Sequence, residues 1–214
     1  ENGAGKSTLV KLLLRLYEPT EGEILYGGVN LKDMDPEDLR SRFGAVFQDF
    51  VRYQFSVAEN IGLGHVPALE DRNRIVRAAE QGGASTVISA LPNQYDTMLG
   101  GWFEKGQELS GGQWQKLGVA RAFMREDAEV LILDEPTASI DAESEHALFE
   151  RFQELAADRI ALVISHRFST VRMADRIAVL HNGEVEELGS HAELMARNGR
   201  YAHLFNLQAR GYRD

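Results

Sequence analysis

Cysteine is absent from these 214 residues. Disulfides and thiolate metal sites are therefore excluded, which suits a reducing compartment without requiring one. No run approaches the roughly eighteen apolar residues that a membrane-spanning helix needs, so the piece carries no span of its own. Internal repeats and low-complexity stretches are also lacking. Basic charge is scarce: 23 Lys and Arg stand against 33 Asp and Glu, a net charge of −10. That balance argues against a general nucleic-acid binder, although a local basic patch is compatible with it. No secretory leader is visible, but this says little in a chain that need not start at its natural N-terminus. The rest is ordinary globular composition, 43% hydrophobic and 26% charged, in a length that suits one substantial core or a core with a small subdomain.

The most telling stretch is the first eight residues, Glu1-Asn2-Gly3-Ala4-Gly5-Lys6-Ser7-Thr8. Gly5, Lys6 and Ser7 fill the last three places of the phosphate-loop pattern G-x-x-x-x-G-K-[ST]. The opening Gly would stand one residue before Glu1, so the chain is expected to begin inside the motif and to be part of a longer one. A polyphosphate is dense in negative charge and must be approached by backbone rather than by bulky side chains. Gly3 and Gly5 permit that approach, successive N–H groups form a concave anion nest, and the following helix points its positive end at the same phosphates. Lys6 adds a full charge on the β/γ side, and the Ser7 hydroxyl suits Mg²⁺. Taken alone, the stretch also reads as a glycine turn with a chance Lys-Ser.

Along the chain, a helix is expected over 6–16, apolar on most sides and buried beneath a sheet. A strand over 23–26 should end at Gly27-Gly28. Asp35-Pro36 is an N-cap followed by Pro at the first helical position, opening a short helix to about Ser41. An apolar strand follows over 43–47, closed by Gln48-Asp49. From 49 to 125 the texture turns helical. Ser56 with Glu59 and Ser110 with Gln113 form capping boxes, and further helices are expected over 70–81 and 84–91. We read 49–125 as a helical subdomain inserted between a first core part, 1–48, and a second, 126–214. Buried strands are expected over 129–133 and 160–165, with a helix over 142–156 between them. Asn182-Gly183 marks a hairpin joining 175–181 to 184–188, and Ser190 with Glu193 forms a third capping box. Strands alternating with helices imply an α/β fold with a mainly parallel sheet, its ligands at the strands' carboxyl ends.

The strand over 130–133 ends in two adjacent carboxylates, Asp134 and Glu135. Two neighbouring acids at a buried strand tip repel and lose hydration unless a cation is near. With a phosphate loop in the same chain, Mg²⁺ is the expected cation. Asp134 would reach it through water, and Glu135 would polarise an attacking water. A solvated acidic turn is the plainer alternative.

Together with these, Leu109-Ser110-Gly111-Gly112-Gln113 resembles the signature segment of ATP-binding-cassette ATPases, and it stands before the Asp-Glu strand in the family's order. Gln48 at a strand end resembles the family's Q-loop, Ala138-Ser139-Ile140-Asp141 its D-loop, and His166 after a strand its switch histidine. The resemblance spans essentially the whole chain. It implies a P-loop NTPase core with an inserted helical subdomain, truncated at its N-terminus inside the phosphate loop. Asn2, Gly3, Ala4, Gly5, Lys6, Ser7 and Thr8 would bind the nucleotide. Ser7 and Gln48 would ligate Mg²⁺, with Asp134 behind them, and Gln48 would also serve hydrolysis. Glu135 would be the general base, and His166 would contact the γ-phosphate. Ser110, Gly111, Gly112, Gln113 and Asp141 would meet the nucleotide of a second, head-to-tail cassette, identical or different. The aromatic residue that stacks on adenine in this family would lie upstream of Glu1.

Phe55-Ser56-Val57-Ala58-Glu59-Asn60-Ile61 resembles the stretch that exporters carry near their membrane coupling helices. Trp102-Phe103-Glu104-Lys105-Gly106 resembles, more loosely, a short exporter loop. The implied protein is the ATPase of a membrane exporter, on the cytoplasmic face, partnered by transmembrane domains and by no nucleic acid. Alone, the piece is expected to bind ATP weakly and hydrolyse little. The competing class is a soluble cassette ATPase of DNA repair, chromosome structure or translation. Against it, only about sixty residues and no heptad run separate Gln48 from Leu109, where chromosome and repair ATPases place a coiled coil. Translation factors carry two cassettes, where one is read here. Glu135 and His166 argue against a cassette that binds ATP without turnover. The other histidines show no metal spacing, and Trp114 follows the signature at a position open to exposure and is assigned no role.

Overall fold

The computed structural model describes residues 4–102, 106–135 and 142–211. The chain forms two compact units, one of Glu1–Gly22 with Val163–Asp214 and one of Glu23–Leu162. In the first unit, α1 (Lys6–Leu13) starts at Gly5, whose φ of 92° lies in the left-handed region open to glycine. The helix is shorter than the apolar pattern suggests. Arg15 takes a left-handed φ of 49°, its N–H bonds Leu12 O, and Leu16 N–H reaches back to Lys11 O. These paired bonds are a Schellman stop, here built without glycine, which is why the sequence did not signal it. Burial is partial as well: Val10 and Leu14 are buried, but Leu16 is 48% exposed.

The second unit opens with β1 (Leu25–Tyr26) and β2 (Val29–Asn30), an antiparallel ribbon turning at Gly27-Gly28 where a single strand was expected. Next comes α2 (Pro36–Ser41), capped by the Asp35 carboxylate, which accepts from Glu37 N and Asp38 N. Then β3 (Phe43–Val46) enters the central sheet. Four helices follow: α3 (Val57–Gly62), α4 (Arg72–Gln81), α5 (Ser85–Ser89) and α6 (Gly111–Phe123). The core of α6 is broad, with Trp114, Leu117 and Phe123 buried. Trp114 is only 3% exposed, and α6 packs against both α3 and α4.

Those packings leave no room for side chains at two glycines. A Cβ at Gly82, after α4, would stand 2.5 Å from Ala120 N on α6. One at Gly64 would run into Arg121 O. The chain then forms β4 (Val130–Asp134), buried at every position, and α7 (Ala142–Leu155). It continues into β5 (Ile160–Ile164), which leads to the other unit. The sheet order is β3-β4-β5, with β3 and β4 parallel and Phe43 to Val46 facing Val130 to Leu133. β5, read as a buried strand, has Ile160 64% exposed and only Ile164 buried. Among the described strands it has a neighbour on one side only.

Back in the first unit are α8 (Phe168–Val171), β6 (Ile177–His181) and β7 (Glu184–Gly189). The hairpin turns at Asn182-Gly183, both at positive φ as such a turn requires. α9 (His191–Arg197) carries the expected capping box of Ser190 and Glu193, and α10 (Arg200–Gly211) closes the unit. Ile177, Leu194 and Tyr201 form its core, with Phe168, Val171 and Phe205 against them.

Candidate nucleotide site

Gly5, Lys6, Ser7 and Thr8 stand at the start of α1, Gly5 as its N-cap. Gly5 O accepts the first helical bond from Leu9 N, so the N–H groups of the first turn have no intrahelical acceptor. No acid occupies that turn. Ala4 is buried, whereas Ser7 and Thr8 are exposed. Asn2 and Gly3 lie outside the described residues, as do Asp141 with the rest of the segment resembling a D-loop, and Glu104.

In the other unit, the parallel register brings Gln48 and the two acids to the same end of the sheet. Val46 faces Leu133, so the turn carrying Gln48 leaves β3 beside the point where β4 delivers Asp134 and Glu135. Asp134 is 2% exposed, while Gln48 is exposed. Glu135 has a φ of 49°, unusual for a residue with a side chain. A non-glycine residue there costs of order 1 kcal/mol, and such strain collects at functional positions.

Ser110 caps α6 reciprocally with Gln113. Ser110 Oγ accepts from Gln113 N at 3.3 Å, and Gln113 Oε1 accepts from Ser110 N at 2.8 Å. Gly111 and Gly112 form the first turn, again without an acid. Further along α6, Arg121 anchors the segment after Gln48. It donates from Nε to Asn60 O, from Nη2 to Asn60 Oδ1 and from Nη1 to Val51 O, and its guanidinium lies 4.9 Å from the Tyr53 ring centroid. Burial pulls the pKa of this Arg below the ordinary guanidinium value. Asn60 completes the network by donating from Nδ2 to Tyr53 O, Phe55 O and Ser56 O. Arg121 and Tyr53 were not singled out from the sequence, since nothing local distinguishes a surface Arg from one buried by tertiary packing.

His166, exposed and two residues past β5, belongs to the unit of α1. Its carbonyl accepts from Gln208 Nε2 at 3.1 Å, and the same carboxamide accepts from Phe168 N at 3.1 Å.

A glycine-turned helix start followed by Lys-Ser-Thr, in a chain whose apolar parallel strand ends in two carboxylates, defines a P-loop nucleotide-binding domain. The chain belongs to the ABC transporter family, whose sequence profile matches residues 1–138. It is 43% identical over 194 residues to the subtilin transport ATP-binding protein SpaT of Bacillus subtilis, covering 91% of this chain and 31% of that protein. It is also 43% identical over 207 residues to a candidate multidrug export ATP-binding/permease protein of Staphylococcus aureus, covering 97% and 35%. Among solved structures, a bacterial Atm1-family ABC exporter with ATP bound matches with a TM-score of 0.89 and 36% identity, over 98% of this chain and 36% of that one. The chain thus spans about a third of the length of these relatives. Among the described residues, no helix is long and apolar enough to cross a membrane.

Proposed function

We propose that this chain is the ATP-hydrolysing cassette of a membrane exporter. The observation that carries the reading is the parallel register of β3 and β4, with Gln48 at the sheet end where Asp134 and Glu135 emerge. The relatives' roles in transport and export, and the ATP bound in the related exporter, support it. In this reading the first turn of α1 and Lys6 hold the phosphates. Glu135 accepts a proton from water as that water attacks the γ-phosphorus, and ADP leaves with the bridging oxygen. His166 contacts the γ-phosphate.

The oxygen donors of Ser7, Gln48 and Asp134 are hard ligands of the kind Mg²⁺ takes. Bound there, Mg²⁺ would neutralise charge on the phosphates.

Residues 49–125 act as the helical subdomain that offers Ser110, Gly111 and Gly112 to a second cassette, arranged head to tail. Membrane domains dock near 55–61, on the cytoplasmic side. The test is Glu135→Gln in the intact protein. ATP binding should persist while turnover falls at least about 10²-fold, as for loss of a general base. Hydrolysis at the normal rate would remove Glu135 from that role.

A further inference from the structure

We propose that Gln208, on α10, is a positioning residue that sets the main chain carrying His166. The proposal rests on the reading of His166 as the γ-phosphate contact. A primary carboxamide presents a donor and an acceptor side by side, which neither a carboxylate nor an ammonium does. Gln208 uses both on one short loop: Nε2 donates to His166 O and Oε1 accepts from Phe168 N, each at 3.1 Å. Phe168 is the first residue of α8, whose opening N–H groups lack intrahelical partners. The residue between them is fixed as well, since Arg167 N donates to Ser165 Oγ at 3.0 Å. Three consecutive residues of the loop are therefore held through their main chain.

The helix that carries Gln208 is fastened to the same loop by its aromatic face. Tyr201, Phe205 and Gln208 follow at intervals of four and three, so they share one side of α10. The Phe168 ring meets Tyr201 edge-on at 5.5 Å and Phe205 at 5.3 Å. Tyr201 OH pairs with His191 Nδ1 at 2.8 Å, tying α10 to α9. The residue whose N–H Gln208 accepts is thus the residue whose ring seats α10. His166 itself is exposed, and its reach toward a phosphate depends on how its backbone is held.

Steady-state ATP hydrolysis by the intact protein tests this with Gln208→Ala, His166→Ala and the double variant. Gln208→Ala is expected to lower kcat about tenfold, on the scale of a small misplacement of a catalytic group, while KM for ATP stays within about twofold. The double variant is expected to be no slower than His166→Ala, because Gln208 acts only through that residue. Gln208→Glu keeps the acceptor for Phe168 N and loses the donor to His166 O, so it too is expected to lose turnover. It carries the same cycle should Gln208→Ala fail to fold. Normal turnover in either Gln208 variant would overturn the proposal. So would a double variant that falls by the product of the two single losses, the mark of a cap that only supports the fold. Normal turnover in His166→Ala would instead overturn the reading of His166, and this proposal with it.

Discussion

Glu135, proposed above as the general base, has a backbone conformation that suits Asn or Gly better. The two demands can be separated. Glu135→Asn should abolish hydrolysis yet leave the thermal midpoint unchanged or raised, by up to about 1 kcal/mol in stability, because Asn tolerates the left-handed region. A clear fall in midpoint would show that the Glu135 side chain stabilises the fold. A second residue-scale effect concerns His65. Burial, with Arg74 and Arg125 beside it, holds its pKa below the usual 6.5, and Asp127 only partly offsets them. The fold therefore favours the neutral ring. The unfolded chain binds the extra proton first, so this stability is complete above about pH 6.5 and is lost as pH falls below it. Replacing His65 by Gln should flatten the urea midpoint over that acidic range. An unchanged slope would mean that His65 does not contribute. At this scale the sequence was most readable: Lys6, Asp134 and Glu135 sit where motif and spacing put them, whereas the backbone strain at Glu135 has no signature in composition.

Elements with local signals were legible, and those made by tertiary contact were not. All three capping boxes form, and α2 runs from Pro36 to Ser41 as Asp35-Pro36 announces, because cap chemistry acts within four residues. By contrast, α8 was not expected, since its first N–H is satisfied by Gln208, forty residues away. The early stop of α1 was hidden because Arg15 does what glycine usually does. β2 was missed because a two-residue strand carries no periodicity. The Arg121 network belongs here as well, for it joins α6 to the segment after Gln48. Arg121→Lys keeps the charge but cannot reproduce the fork to Asn60 and Val51. It should cost about 2 kcal/mol in urea-unfolding stability, on the scale of hydrogen bonds from a charged group. A loss within experimental scatter would show those bonds to be worth little. Ser110→Ala should cost about 1 kcal/mol through the lost cap. Recovery of that stability in Ser110→Asp would confirm that capping is the cause.

At the scale of the whole protein, a site shared between two cassettes makes a strict prediction. Two inactive intact variants, Lys6→Ala and Ser110→Arg, should recover hydrolysis when mixed, provided the protein is a homodimer. The mixed dimer holds one site with Lys6 intact on one copy and Ser110 intact on the other. If mixed dimers form and remain inactive, independent shared sites are ruled out. Two helix starts without acidic residues, at α1 and α6, are what such an arrangement would use on one polyphosphate. The crowding at Gly64 and Gly82 bears on how a genetic screen of this protein would read. Any side chain there must displace the main chain of α6 at Ala120 or Arg121. Random mutagenesis selected for loss of the proposed ATP hydrolysis would return these two glycines alongside Lys6 and Glu135, although neither offers a group for chemistry. Protein abundance sorts the two kinds of allele: Gly64 and Gly82 substitutions should deplete the protein from the cell, while Lys6→Ala and Glu135→Gln should accumulate as intact, silent copies.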